Sequence, residues 1–260
     1  MTSLGALKNS WESLAERDAL WAILTDSSKV GRKWELAEFM ATGEAEIETV
    51  INHLATINLT PDFRGAALDF GCGVGRLTQA LARRFASCVG LDISQQMIQK
   101  ADALNQYKNC QYLANSSLHL PFLAGSFSFI YSNIVLQHVP RRFSLAYLAE
   151  FIRVLAPGGV LVFGVQDTSD PRISSRVLIR TRQMLRIRSR IKAALGLIPG
   201  TMQMHCLPES IVRQALGPSR IVDIQFTQTA DTAFNGKLLY LDHPPKSGYI
   251  GKQYCVHKES

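Results

Sequence analysis

Between residues 64 and 166, short apolar runs of strand composition alternate with runs of helical period, and this alternation restricts the fold more than any other feature. The strand-like runs are AALDF, SCVGLDI, CQYLA, SFIYS and GVLVFGV. The helical runs between them include LTQALARRF, SQQMIQKADAL and SLAYLAEFIRVLA. Strand, helix, strand in that order predicts an α/β fold, a parallel sheet with helices on both faces. Sheets of this kind take ligands at the carboxyl ends of their strands, so each motif is weighed by whether it falls there. With 260 residues, 47% of them hydrophobic, the chain can build one large domain or a domain carrying an insertion.

The flanks differ from this middle. Residues 1–60 read as a helical extension. Its clearest helix is TGEAEIETVINHLATI, with Thr42 as cap, Glu44 and Glu46 at the positive helix start, and Ile47, Val50, Ile51 and Leu54 at helical spacing. All three tryptophans, Trp11, Trp21 and Trp34, lie here, open to two readings: helix packing, or a lid over a ligand pocket. From about 167 to 207 the alternation breaks at a basic helical stretch. PESIVRQAL then reads as a helix, and IVDIQFTQTA and GYIGKQYCVH as strands. The expected organisation is a lid-like extension over 1–60 and one domain over 61–260. A helical cap insertion at about 167–207 separates its fifth and sixth strands.

No apolar run reaches the roughly 18 residues that a membrane helix needs. Glu12, Glu16, Arg17 and Asp18 stand where a signal peptide requires an apolar core. Five cysteines without a CxxC pair read as reduced thiols. A soluble, cytoplasmic protein is expected.

The first strand runs into LDFGCGVGRL. A dinucleotide fingerprint is G-x-G-x-x-G. Here Gly71, Gly73 and Gly75 alternate, and Arg76 stands where the third fingerprint glycine would fall. Asp69 ends the strand in front of the loop. Its carboxylate would repel a pyrophosphate and attract an ammonium, so the loop fits a nucleoside carrying an amino acid better than a dinucleotide. The next strand ends in LDIS, with Asp92 about twenty residues past the loop, placed to take both hydroxyls of a ribose. Ile93 after it could pack on an adenine face. Either acid alone would read as a helix cap or a solvated strand end; the pair, each at a strand's carboxyl end, points to a ligand.

The loop LDFGCGVGRL, followed by GLDIS, LPFLAGSFSFIYSNIVLQHV and EFIRVLAPGGVLVFG, resembles the class I S-adenosylmethionine-dependent methyltransferases over about residues 64–166. The N-terminal WELAEFMATGEAEIE is similar to the helical prelude of bacterial members that act on small molecules. The resemblance implies a Rossmann-like, seven-stranded, mostly parallel sheet whose last strand is antiparallel. It implies S-adenosyl-L-methionine as cofactor and S-adenosyl-L-homocysteine as product. It assigns Asp69 to the methionine amino group, the Gly71–Gly75 backbone to the amino-acid tail and Asp92 to the ribose. Asn115 and Ser116 stand where the family often has an acid bonding the adenine amine, with Leu118 an apolar neighbour. Asn133 and Ile134 would lie near the sulfonium. Phe127–Ser128 replaces the FD that often opens the fourth strand.

Methyl transfer rests largely on alignment of acceptor, methyl and leaving sulfur. A hydroxyl acceptor also needs a base, most simply a histidine. His138 lies just past the fourth strand and His205 follows the insertion, so both are candidates, with packing as the competing reading. His53, His119, His243 and His257 read as structural or surface residues. No carboxylates cluster at the fourth strand's end, so no metal requirement is expected. The net charge of +7 is concentrated: Arg172 to Lys192 holds eight basic residues and no acidic one. Read as a helix, it places Ile173, Val177, Met184, Ile187 and Ile191 on one stripe, and Arg172, Arg176, Arg180, Arg186 and Arg190 on another. A solvated cap helix, an anionic or acylated acceptor, and docking to a membrane surface or carrier protein are the open readings. Nucleic acid is not expected, because the stretch lacks aromatic residues to stack bases.

The expected function is methylation of a small-molecule metabolite, at oxygen, in secondary metabolism or on a lipid-like compound. Nitrogen or carbon methylation, a non-catalytic cofactor-binding module and a nicotinamide oxidoreductase are the alternatives.

Overall fold

The computed structural model describes residues 3–169, 202–216, 220–229, 234–245 and 249–259. Most of the basic insertion, including the whole 172–192 stretch, lies outside the described residues. Two long helices come first, α1 (Leu4–Ile23, broken at Asp18) and α2 (Leu36–Thr56). The alternating core follows as β1 (Ala66–Phe70), α3 (Arg76–Ala82), β2 (Ser87–Asp92), α4 (Gln95–Leu104), β3 (Cys110–Ala114), β4 (Phe127–Ser132), α5 (Arg141–Val154) and β5 (Leu155–Ser169). The chain closes with α6 (Glu209–Leu216), β6 (Arg220–Thr227), β7 (Tyr240–Leu241) and β8 (Tyr249–His257).

The strands form one sheet in the order β3-β2-β1-β4-β5-β8-β6-β7. β1 through β5 pair in parallel, and β8 lies antiparallel between β5 and β6, as the resemblance implied. The seven expected strands are joined by an eighth, the two-residue β7, which pairs with the end of β6. β5 is longer than GVLVFGV because β8 pairs along it from Val160 to Ser169.

Neighbouring residues alternate between two covered faces, as a parallel sheet requires. Leu68, Ile130, Leu161 and Phe163 pack with Phe143, Leu148 and Phe151 of α5. Ala67, Phe129, Tyr131, Val160 and Val162 pack on the other side with Ile47, Val50 and Leu54 of α2 and with Leu77 and Leu81 of α3. The N-terminal helices are therefore built into the core, α2 against the sheet and α1 beside α4. All five cysteines are free thiols. No helix among the described residues is long and apolar enough to cross a membrane.

The expected start of α2 is corrected. The helix begins at Leu36 with Glu35 at its cap, and Thr42 lies inside it, its hydroxyl donating to the Phe39 carbonyl at 2.6 Å. WELAEFMA contains no breaker, so nothing delays the helix to Thr42. Gly43 stays in it because α3 presses there: a Cβ would overlap the Arg76 carbonyl.

Candidate active site

β1 and β4 are neighbours in the sheet, yet their crossovers leave in opposite directions along the strand order. Such a switch point opens a crevice beyond the strands' carboxyl ends. A cavity lies there. Its walls come from Phe70, Gly71, Cys72 and Gly73 after β1, Leu91, Asp92 and Ile93 at the end of β2, and Asn133, Ile134, Val135 and His138 after β4. α1 supplies Leu7, Trp11, Ala22 and Ile23, and Arg76, Asn115 and Tyr147 are among the other lining residues.

The three glycines of the loop have positive φ, at 79°, 53° and 85° for Gly71, Gly73 and Gly75, a region L side chains rarely enter. All three also permit close approaches, Gly73 to Ile23 of α1. A Cβ on Gly71 would overlap Val135 of the β4 loop, and one on Gly75 would overlap Tyr112 of β3. Gly71 thus lets two strand ends interlock at the cavity, whereas Gly75 serves helix-to-sheet packing and does not line it.

The two acids behave differently. Asp92 lines the cavity while its carboxylate accepts from the backbone N–H of Gly73 at 2.9 Å and of Ser94 at 2.8 Å, tying the glycine turn to the start of α4. Burial, opposed by those N–H groups, pushes its pKa up to about 6. Asp69 does not line the cavity; it is almost fully buried, with Oδ2 accepting from the Thr78 hydroxyl at 2.7 Å and Oδ1 without a partner. Burial raises its pKa to about 7.

Of the remaining predicted residues, Ile93, Asn115, Asn133, Ile134 and His138 come together on the cavity wall. Ser116, Leu118 and His205 do not line it. Leu118 packs toward the α5 face of the core, and the Asn115 carboxamide closes its own turn onto Ser117 and His119. His205 donates its backbone N–H to the Gln137 carbonyl at 2.7 Å, and its Nε2 is buried without a partner. His138 is buried, and Trp11 stands edge-on to it. Its Nδ1 lies 3.1 Å from the Gln203 carbonyl, which assigns the proton to Nδ1 and leaves the lone pair on Nε2, 3.4 Å from the Gln137 amide nitrogen. Burial lowers its pKa to about 4.

Three other histidines are occupied elsewhere or exposed. His53 meets Asp223 at 2.6 Å, His119 pairs with Glu150 at 3.1 Å, and His243 is exposed. His53, Asp223 and Cys255 form the one group among the described residues with ligand atoms close enough for a metal, and none of them lines the cavity.

Residues 68–163 match the family model described as a methyltransferase domain. Residues 68–163 form a class I S-adenosylmethionine-dependent methyltransferase domain. The chain is 40% identical over 116 residues to the trans-aconitate 2-methyltransferase of Deinococcus radiodurans, covering 44% of this chain and 42% of that protein. It is 36% identical over 112 residues to the demethylmenaquinone methyltransferase of Lactobacillus johnsonii, covering 40% and 44%. The chain thus spans less than half the length of these relatives. In fold it is similar to the magnesium protoporphyrin IX methyltransferase of Synechocystis PCC 6803 with bound S-adenosylhomocysteine. The TM-score is 0.60 at 15% identity, over 99% of this chain and 100% of that one.

The residues of the methyltransferase domain fit the cofactor of its class. Asp69 keeps one buried carboxylate oxygen without a partner, an acceptor suited to an ammonium, and the glycine turn that follows holds positive φ angles that bring its backbone to the cavity. Asp92 at the end of β2 keeps acceptor capacity beyond the two N–H groups it already holds, and Ile93 offers an apolar face.

The extension over 1–60 was expected as a lid, but no α1 residue was assigned to the cavity. Leu7, Trp11, Ala22 and Ile23 line it. Sequence reading also missed Glu46, which is fully buried and paired with Arg76 at 2.7 Å. Its signal was legible: with Phe39, Gly43, Val50 and Leu54, Glu46 completes the buried stripe of α2 at helical spacing.

Proposed function

We propose that this chain is an enzyme that methylates an oxygen of a small, largely apolar metabolite or lipid-like compound, in the cytoplasm and in secondary metabolism. When bound, S-adenosylmethionine supplies an electrophilic methyl group on a sulfonium. Asp69 and the Gly71 and Gly73 backbone hold its amino-acid end, Asp92 its ribose and Ile93 its adenine. Asn133 and Ile134 border the reacting centre. Leu7, Trp11 and Ile23 of α1 cover it as a lid and keep water out.

The observation that carries the oxygen reading is His138, a neutral imidazole on the cavity wall with its lone pair on Nε2. As the acceptor oxygen gains the methyl, its O–H bond breaks and the proton passes to Nε2. The cofactor would supply the methyl group and depart as a neutral thioether, so the acceptor's proton is the one His138 has to take. A pKa near 4 makes a weak base, yet an oxygen that is gaining a third bond becomes strongly acidic, so a weak base serves. His205, behind Gln137, is the second candidate for that role. The apolar character of the α1 and β4 walls supports a lipid-like acceptor; an anionic or acylated one, met by the basic residues of 172–192, is the finer form of this reading.

Nitrogen methylation is the second reading, favoured by the same low basicity, since an uncharged amine needs positioning and no base. Incubating the protein with isotope-labelled S-adenosylmethionine and a cell extract, then reading the products by mass spectrometry, tests both. A labelled ether or ester supports the proposal, and a labelled amine replaces it. No labelled product from protein that binds S-adenosylhomocysteine would mean a binding module.

A further inference from the structure

A buried carboxylate joins the N-terminal extension to the residues that end β4 and open α3. Glu46 of α2 is fully buried. Its Oε1 accepts from the Asn133 carboxamide at 2.8 Å and from the Tyr131 hydroxyl at 2.8 Å. Its Oε2 accepts from Arg76 Nη2 at 2.7 Å, and Arg76 Nη1 reaches the Thr42 hydroxyl at 3.2 Å. Asn133 and Arg76 both line the cavity; Glu46 does not.

The contacts continue from there. With its nitrogen held by Glu46, Asn133 turns Oδ1 back onto the backbone N–H of Ile134 at 3.1 Å. Ile134 sits at φ 53°, a left-handed conformation that strains a β-branched residue and persists only where its surroundings enforce it. The next residue, Val135, fills the space left by Gly71. A carboxylate on α2 is thereby connected, bond by bond, to the seam between the β4 loop and the glycine turn.

We propose that Glu46 is a positioning residue for the cofactor cavity. Its carboxylate fixes the Asn133 carboxamide, Asn133 holds the strained Ile134, and together they set the wall against which S-adenosylmethionine seats. The N-terminal extension is then part of the binding geometry as well as a cover. This rests on the cofactor-binding reading of the domain.

Two double variants separate positioning from stability. Removing Glu46 alone strands the buried Arg76 charge, whereas replacing both members of a buried pair by neutral residues often leaves stability unchanged. Glu46→Leu with Arg76→Met removes the acceptor for Asn133. Glu46→Gln with Arg76→Met keeps an acceptor oxygen in place at the same net charge. The readouts are the melting temperature and the S-adenosylhomocysteine affinity by calorimetry. The leucine pair is expected to melt close to the glutamine pair, which shares its Arg76→Met change, and to bind about tenfold or more weakly than it. Equal affinity for both pairs, whether retained or lost, overturns the proposal, because the effect would then be absent or belong to Arg76. Should the leucine pair not fold, Asn133→Ala, which leaves the Glu46–Arg76 pair intact, must show the same loss, and unchanged affinity there overturns it too. Failure of the parent protein to bind S-adenosylhomocysteine would instead sink the function proposed above.

Discussion

Trp11 of the first helix meets His138 edge-on, with ring centroids 5.5 Å apart and planes at 72°. The contact brings the N-terminal extension onto the residue proposed to take the acceptor's proton, and Glu12 beside it latches α1 to α4. The Glu12 carboxylate accepts from the Ser94 hydroxyl at 2.8 Å and from the backbone N–H groups of Gln95 and Gln96 at 2.9 and 3.1 Å. Those groups belong to the unsatisfied first turn of a helix, where an anion is favoured.

Because Trp11 lines the cavity and Trp21 and Trp34 do not, S-adenosylhomocysteine should change the protein's tryptophan emission through Trp11. The change is expected to persist in Trp21→Phe and to vanish in Trp11→Phe. A signal that survives loss of Trp11 would show that α1 does not contact the bound ligand.

Asp92 carries the ribose in the proposed site and also holds the Gly73 and Ser94 backbones. Asp92→Ala should weaken S-adenosylhomocysteine at least tenfold in a calorimetric titration, a loss of about 1.4 kcal/mol or more. Unchanged affinity would remove the cofactor assignment along with Asp92's part in it.

Cofactor affinity should depend on pH with a definite sign. Burial holds Asp69 up at about 7 and Asp92 up at about 6 in the unliganded protein. An ammonium against Asp69 and hydroxyls against Asp92 favour the ionised carboxylates, so binding releases protons. Affinity for S-adenosylhomocysteine should therefore rise as pH climbs through about 6 and about 7 and level off above, with proton release visible as a buffer-dependent binding enthalpy. Flat or falling affinity over that interval would show that the acids are not drawn into ionisation by the ligand.

His138→Gln preserves much of the side-chain volume but removes the basic nitrogen. Turnover on an oxygen acceptor is expected to fall about a hundredfold, with S-adenosylhomocysteine affinity unchanged. The same exchange at His205, which lies off the cavity wall, should cost less. Turnover of His138→Gln within threefold of the parent would exclude it as the base.

Local signals carried most of the domain. Strand and helix runs, GCGVG and the acids at the ends of β1 and β2 are short-range patterns, and each occupies the expected strand end. The start of α2 was misplaced because a plausible cap, Thr42, followed by acids mimics a helix start; the unbroken WELAEFMA before it decides otherwise. Gly75, Ser116 and Leu118 were assigned by loop position, which gives the strand end but not the direction in which a side chain or missing Cβ faces.

The sequence by itself determined the layered parallel sheet, the strand ends at which the cavity opens and the kind of cofactor the domain uses. These depend on alternation, backbone conformation and charge within one or two elements. Tertiary structure alone decided that α1 walls the cavity, that Glu46 and Arg76 pair in the core and that Glu46 of α2 holds Asn133 after β4. Each of those contacts joins residues far apart in the chain, and helical period or strand alternation says which face a residue occupies, never which distant element comes to meet it.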